Sequence, residues 1–285
     1  MIKYRVQFCF ASICSLIDIA SEYQIPVVLN SVGVEGYDIR TFRCQQLKKA
    51  LQNKNVKYIS VRDDLDTLVN QYLDGNPKCI CKKVADPAVW ISDMLNIQKS
   101  KSEKIGIGIG RGNLFKDYGK SMPSEDIFDF YCNLIRKLIT NNKVELFTNG
   151  AIDDCEFAKK IQYKLSQEGI NIALVIPRNL DHLVKTIATY NCILATRLHS
   201  CILAYSLDVP AIGFVWNDKL KLWGENIQAE DFFIDVENMK VGYVLGLLDK
   251  LKKYHYDLKN KEQFKNSIKD SIDEILNIFF YSSHL

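Results

Sequence analysis

Short, continuously apolar runs alternate with amphipathic stretches along the whole chain, and few folds accommodate that rhythm. A strand that is apolar on both faces must be covered on both, which is the condition of a parallel sheet flanked by helices. Candidate strands are Pro26 to Val32, Val56 to Val61, Lys104 to Ile109, Val144 to Thr148, Ile172 to Ile176, Cys192 to Thr196, Ala211 to Val215 and Phe232 to Val236. Apolar residues at three- and four-residue spacing mark helices at Cys9 to Tyr23, Ile39 to Gln52, Asp64 to Leu73, Ser124 to Asn141, Asp153 to Glu168, Leu180 to Tyr190, Leu198 to Leu207 and Val241 to Lys253. A long amphipathic helix follows from Lys259 to Phe280. Ser124 reads as an N-cap, with Glu125 and Asp126 in the first turn.

The 285 residues are enough for two domains. The polar stretch Asn96 to Lys104 has no apolar periodicity, so it predicts a boundary between a partial α/β domain over 1–98 and an α/β domain over 103–285. Hydrophobic residues at 47% and charged residues at 25% exclude a disordered chain. A net charge of +3, from 37 basic and 34 acidic residues, does not announce a nucleic-acid surface, so an anionic ligand must be held locally. The nine cysteines form no CxxC pair and no zinc-spaced cluster, which predicts reduced, mostly buried thiols and no metal. Lys3 and Arg5 ahead of the apolar run Phe8 to Ile13 superficially resemble a signal peptide, but Asp18 and Glu22 follow without a cleavage site. No run reaches the roughly 18 apolar residues of a membrane span. The expected location is the cytoplasm, with room for docking at the inner face of the membrane.

The strongest local signal is Thr196-Arg197-Leu198-His199-Ser200, which follows an apolar strand and opens a helix. A strand end facing a helix N-terminus is where open parallel sheets bind anions. Arg197 offers a planar fork for carboxylate or phosphate, and His199 exchanges a proton near neutral pH, although a histidine there also serves simply to pack on its helix. Lys219 follows the next strand and emerges on the same sheet edge, where a solvated surface charge is the plainer alternative. The segment from Gly106 to Gly112 is neither a Walker loop nor GxGxxG; it offers backbone N–H groups and Arg111 to a phosphate, or is a tight turn. Arg62, just past the strand ending at Val61, faces a cleft or forms a surface pair with Asp63.

Taken together, Ser60-Val61-Arg62-Asp63, Asp86-Pro87-Ala88, Phe147-Thr148-Asn149-Gly150 with Asp154, and the span from Thr196 to Lys219 resemble the polysaccharide pyruvyl transferase family. The resemblance covers about Ile25 to Asp235. It implies two Rossmann-like parallel-sheet domains like those of GT-B glycosyltransferases, the first on the acceptor side and the second on the donor side. It also implies transfer of pyruvate from phosphoenolpyruvate to a sugar hydroxyl of a cell-surface or exported polysaccharide, or of a lipid-linked sugar, forming a ketal. On matching positions it gives His199 and Arg197 as catalytic residues and Arg62, Lys219, Arg111 and Asn149 as substrate-binding residues. Phosphoenolpyruvate is then the donor, with no separate cofactor. Family members usually begin with a further strand and a GNxGD-like loop, so an incomplete N-terminal domain is expected here.

Two other functions fit the same residues. One is a GT-B-type glycosyltransferase whose basic pocket binds the diphosphate of a nucleotide sugar. The other is an inactive truncated remnant acting as a binding module. Under the enzyme reading, His199→Ala and Arg197→Ala are each expected to abolish transfer and leave the fold intact.

Overall fold

Every candidate strand singled out above becomes a parallel strand. The structure, a computed structural model, describes residues 2–34 and 36–280; the side chains of residues 2–11, including Lys3, Arg5 and Cys9, lie outside the described part. The chain divides into one unit of residues 1–87 together with 262 onward, and a second of residues 88–261.

The first unit runs α1 (Ile2–Glu22), β1 (Val27–Val32), α2 (Phe42–Leu51), β2 (Val56–Val61), α3 (Leu65–Thr67, continued by a wider turn over Leu68–Tyr72) and β3 (Ile80–Lys83). Its three strands lie in the order β1-β2-β3, all parallel. Central β2 is buried on both faces. Ile59 and Val61 join Ile17, Leu51 and Leu68 in one apolar cluster, while Tyr58 reaches Ser271 at 2.9 Å. Ser31 lies in the left-handed region (φ 51°) where β1 is irregular between Leu29 and Val32. Its amide donates to Ser60 Oγ (2.7 Å) and its hydroxyl to the Ala85 carbonyl (2.8 Å), bonds that offset a strained backbone.

The second unit runs α4 (Ile91–Leu95), β4 (Ile105–Gly108), α5 (Leu114–Asp117), α6 (Ser124–Leu138), β5 (Val144–Phe147), α7 (Ile152–Ser166), β6 (Ala173–Val175), α8 (Leu180–Ala188), β7 (Cys192–Ala195), α9 (Leu198–Ser206), β8 (Ala211–Val215), α10 (Asp218–Asn226), β9 (Phe233–Asp235) and α11 (Val241–Leu251). Then α12 (Leu258–Phe280) carries the chain back into the first unit. The six strands are parallel in the order β6-β5-β4-β7-β8-β9. The chain therefore builds outward from β4 in one direction and then, from β7, in the other. Between β4 and β7 the order reverses, and open sheets bind ligands beyond the carboxyl ends of strands at such a point.

Three expectations are corrected. The division differs from 1–98 and 103–285 because Ser92 N–H and the Val89 carbonyl both bond Ser206 Oγ, at 3.1 and 2.8 Å, tying the segment before the polar linker to the second unit. Meanwhile Ser267 Oγ accepts from the Ala85 amide, tying α12 to the first. Ser124 is the first helical residue, and Pro123 holds the N-cap position in extended geometry. Of the thiols, Cys132, Cys155, Cys192 and Cys201 are buried, whereas Cys14, Cys44, Cys79 and Cys81 are half-exposed. No helix among the described residues is long and apolar enough to cross a membrane.

One ring locks the far side of the large sheet. Phe233 on β9 fills the space left by two glycines, Gly213 on β8 and Gly224 on α10, where a Cβ at Gly224 would sit 2.6 Å from the ring. Gly213→Ala overpacks this contact and is expected to cost about 1–3 kcal/mol. Tryptophan fluorescence during denaturant unfolding measures it cleanly, because Trp90, Trp216 and Trp223 all lie in the second unit.

Candidate functional site

The carboxyl ends of β4 and β7 carry the residues that matter. Gly106 and Gly108 belong to β4 itself, so the glycine-rich segment is not a simple turn. Its glycines permit close approach: a Cβ at Gly110 would stand 2.6 Å from Thr196 Oγ1. Thr196 in turn reaches the Gly108 carbonyl at 3.4 Å, and its own carbonyl accepts from Trp216 Nε1 at 2.5 Å.

This packing brings three segments onto one carboxylate. Asp154, in the first turn of α7, has a side chain that is 0% exposed. Its Oδ1 accepts from the Arg111 backbone amide at 2.9 Å. Its Oδ2 accepts from Arg197 Nε at 2.8 Å, and Oδ1 also takes Arg197 Nη2. A buried carboxylate is tolerable only when paired in this way. Beside the pair lies Tyr131, whose phenol is pushed up in pKa first by burial and then by the Asp154 charge, with Arg197 acting in the opposite direction.

Arg197 is the N-cap residue of α9 and 26% exposed. Because Asp154 occupies its Nε and Nη2 edge, the guanidinium presents Nη1 and the remaining Nη2 proton outward. This edge has no protein partner among the described residues, and it is the geometry that receives a second carboxylate or phosphate. His199 stands exposed in the first turn of the same helix, whose positive N-terminal end favours an anion. Asn149, after β5, accepts from Ser200 Oγ at 2.6 Å and so is held against α9. Lys219, half-buried, lies in the first turn of α10 beyond the carboxyl end of β8, the neighbour of β7. The Arg111 side chain pairs with Asp117.

The structure thus brings Arg197, Arg111 and Asn149 into one bonded network, with His199 on its helix and Lys219 one strand along. Arg62 belongs to the first unit, where it closes β2 and pairs with Asp86 through Nη1 at 2.6 Å. Asp63 does not pair with it; Asp63 Oδ1 accepts from the amides of Val34 and Asp64 instead. Sequence reasoning placed Asp154 in the pattern without giving it a role. Its signal was an acidic residue in a first helical turn directly after a strand. Among the described residues, no group of three or more His, Cys, Asp or Glu is arranged to hold a metal ion.

A family model described as polysaccharide pyruvyl transferase matches residues 8–218. The chain belongs to the polysaccharide pyruvyl transferase family. Among solved structures it is similar to a UDP-GlcNAc 2-epimerase from Methanocaldococcus jannaschii, with 13% identity over 94% of this chain and 74% of that one, at a TM-score of 0.63. It is also similar to a Listeria monocytogenes protein bearing a provisional UDP-N-acetylglucosamine 2-epimerase assignment, with 10% identity over 95% of this chain and 80% of that one, at a TM-score of 0.53. No curated protein matches the chain in sequence. The structural likenesses show the fold, parallel-sheet α/β units of the kind found in these epimerases. For this pyruvyl transferase family member, activity has to be argued from the site.

The buried pair changes one expectation about variants. Arg197→Ala leaves the Asp154 carboxylate in the interior without its guanidinium, so the fold does not stay intact at no cost. The single substitution is expected to cost the second unit about 3–5 kcal/mol, and adding Asp154→Asn should recover most of the loss. Tryptophan-detected unfolding of the single and double variants measures both; equal stability of Arg197→Ala and the parent would mean that Asp154 does not depend on Arg197.

Proposed function

We propose that the chain transfers the pyruvyl group of phosphoenolpyruvate to a sugar hydroxyl of a cell-surface or exported polysaccharide, or of its lipid-linked precursor, forming a ketal in the cytoplasm. The observation that carries this reading is the outward edge of Arg197, held at the point where the strand order reverses and backed by a carboxylate that keeps it from turning. Phosphoenolpyruvate brings a carboxylate and a phosphate. Arg197 suits the first as a bidentate partner, while Lys219 and the N-terminal end of α9 suit the second. Arg111 and Asn149 complete the donor site within the second unit, and Arg62 is an anion-binding candidate of the first unit taken by itself.

Protonation of the donor's methylene carbon makes its C2 electrophilic, and a sugar oxygen then adds there. A second sugar oxygen displaces phosphate to complete the ketal. Each addition releases a hydroxyl proton, and His199 is the side chain whose ordinary titration range suits such transfers.

Calorimetric titration with phosphoenolpyruvate, beside a panel of nucleotide sugars, tests the reading. Saturable phosphoenolpyruvate binding is expected. Arg197→Lys, which keeps a charge but loses the fork, should weaken it by about 10–100-fold, the equivalent of a charged hydrogen bond. His199→Ala should retain binding and lose about 10²–10⁴ in turnover. Binding of a nucleotide sugar with none of phosphoenolpyruvate would replace this reading with glycosyl transfer.

A further inference from the structure

The first unit holds a pair of thiols outside the candidate functional site. Cys79 Sγ and Cys81 Sγ lie 3.7 Å apart at the entrance to β3, both half-exposed and both packed against the apolar cluster of the first unit. The residue between them, Ile80, points the other way and is 46% exposed. Three exposed lysines, Lys78, Lys82 and Lys83, surround the pair in sequence, with Lys82 engaged by Glu274.

We infer that Cys79 and Cys81 form a reversible dithiol–disulfide site, oxidised by a small anionic disulfide of the glutathione type. Two residues of strand rise put their Cα atoms about 6.6 Å apart, at the long end of the roughly 4.4–6.8 Å that a disulfide spans. Closure needs the sulfurs to approach to about 2.05 Å. Cys79 lies in the bend just before β3 and Cys81 within it, so the bend side of the pair is the side that moves. The lysines favour a reagent that carries net negative charge.

The step balances as thiol–disulfide exchange. One thiol of the pair loses its proton and attacks a sulfur of oxidised glutathione, expelling one glutathione thiolate. The second thiol loses its proton and attacks the mixed disulfide, expelling the other. The protein loses two hydrogens, and one oxidised glutathione becomes two reduced ones.

Burial raises the pKa of both thiols, that of Cys81 to about 12. The dithiol therefore gains little from ionisation near neutral pH, and the disulfide does not have to compete with a stabilised thiolate. Exchange is slow for the same reason. Closure pulls the chain in across Ile80, whose ladder partner is Tyr58, the residue that holds Ser271 of α12. A small ring closed along a strand is strained, which makes the disulfide easy to reduce again.

The intact chain, equilibrated under native conditions in glutathione buffers of increasing oxidised fraction, acid-quenched, alkylated and mapped by mass spectrometry, tests this. The peptide carrying both residues should become two hydrogens lighter with neither cysteine alkylated, and should return fully on transfer to excess reduced glutathione. Buried Cys132, Cys192 and Cys201 should stay reduced throughout. Of Cys79→Ser and Cys81→Ser, at least one should stop at a mixed disulfide with glutathione. Alkylation of both cysteines at every ratio, bridging of either to a different cysteine, or no glutathione adduct in either variant would overturn the inference.

Discussion

A carboxylate with no access to water has to be paired, and in the second unit the pairing of Asp154 organises everything around it. Its two oxygens are shared between a backbone amide beyond β4 and a guanidinium beyond β7, two strands that are direct neighbours in the sheet. The register that sets Gly108 opposite Ala195 brings those two ends level. Glycine at 110 then lets Thr196 close in, and the third segment, α7, supplies the acid from its first turn. Small residues create the close approach, the approach excludes water, and the exclusion of water makes the ion pair obligatory.

The first unit repeats the device on a smaller sheet. Arg62 ends the central strand there, as Arg197 follows a central strand in the other unit, and each arginine is 26% exposed against a carboxylate that is 6% exposed for Asp86 and 0% for Asp154. In both cases the arginine is held by an acid from a different segment of the chain, a later one for Arg62 and an earlier one for Arg197. An arginine in water samples many rotamers, and losing them on binding is costly. Holding it beforehand moves that cost into folding, and the fold recovers it through the buried pair.

Legibility of the fold followed burial. All eight expected strands are present within about a residue at either end, and the clearest of them, β4, β7 and β8, are buried throughout and read as unbroken apolar or glycine runs. The strand that escaped, β3, has the sequence ICKK at a sheet edge, where lysines are compatible with pairing and no apolar run is needed. Helix α10 escaped for a related reason: its apolar residues are few and its start is marked by Asn217, whose side chain accepts from the Leu220 amide. The site was legible as residues grouped on one sheet edge. What no spacing could show is that Asp154 spans 43 residues of sequence to reach Arg197, since pairings of that range are set by strand order rather than by local pattern.

The same pair governs how charge is distributed over the proposed donor site. Asp154 offsets most of the Arg197 charge, so Arg197 contributes shape and hydrogen bonds more than net potential. A ligand carrying both a carboxylate and a phosphate still needs positive charge from elsewhere. Under the proposed function, Lys219 and the N-terminal end of α9, both on the same sheet edge, would supply it. Orientation and attraction are therefore assigned to different groups. In that reading, the rigid arginine would select a planar anion by its geometry, and the lysine would supply charge to the second anionic group.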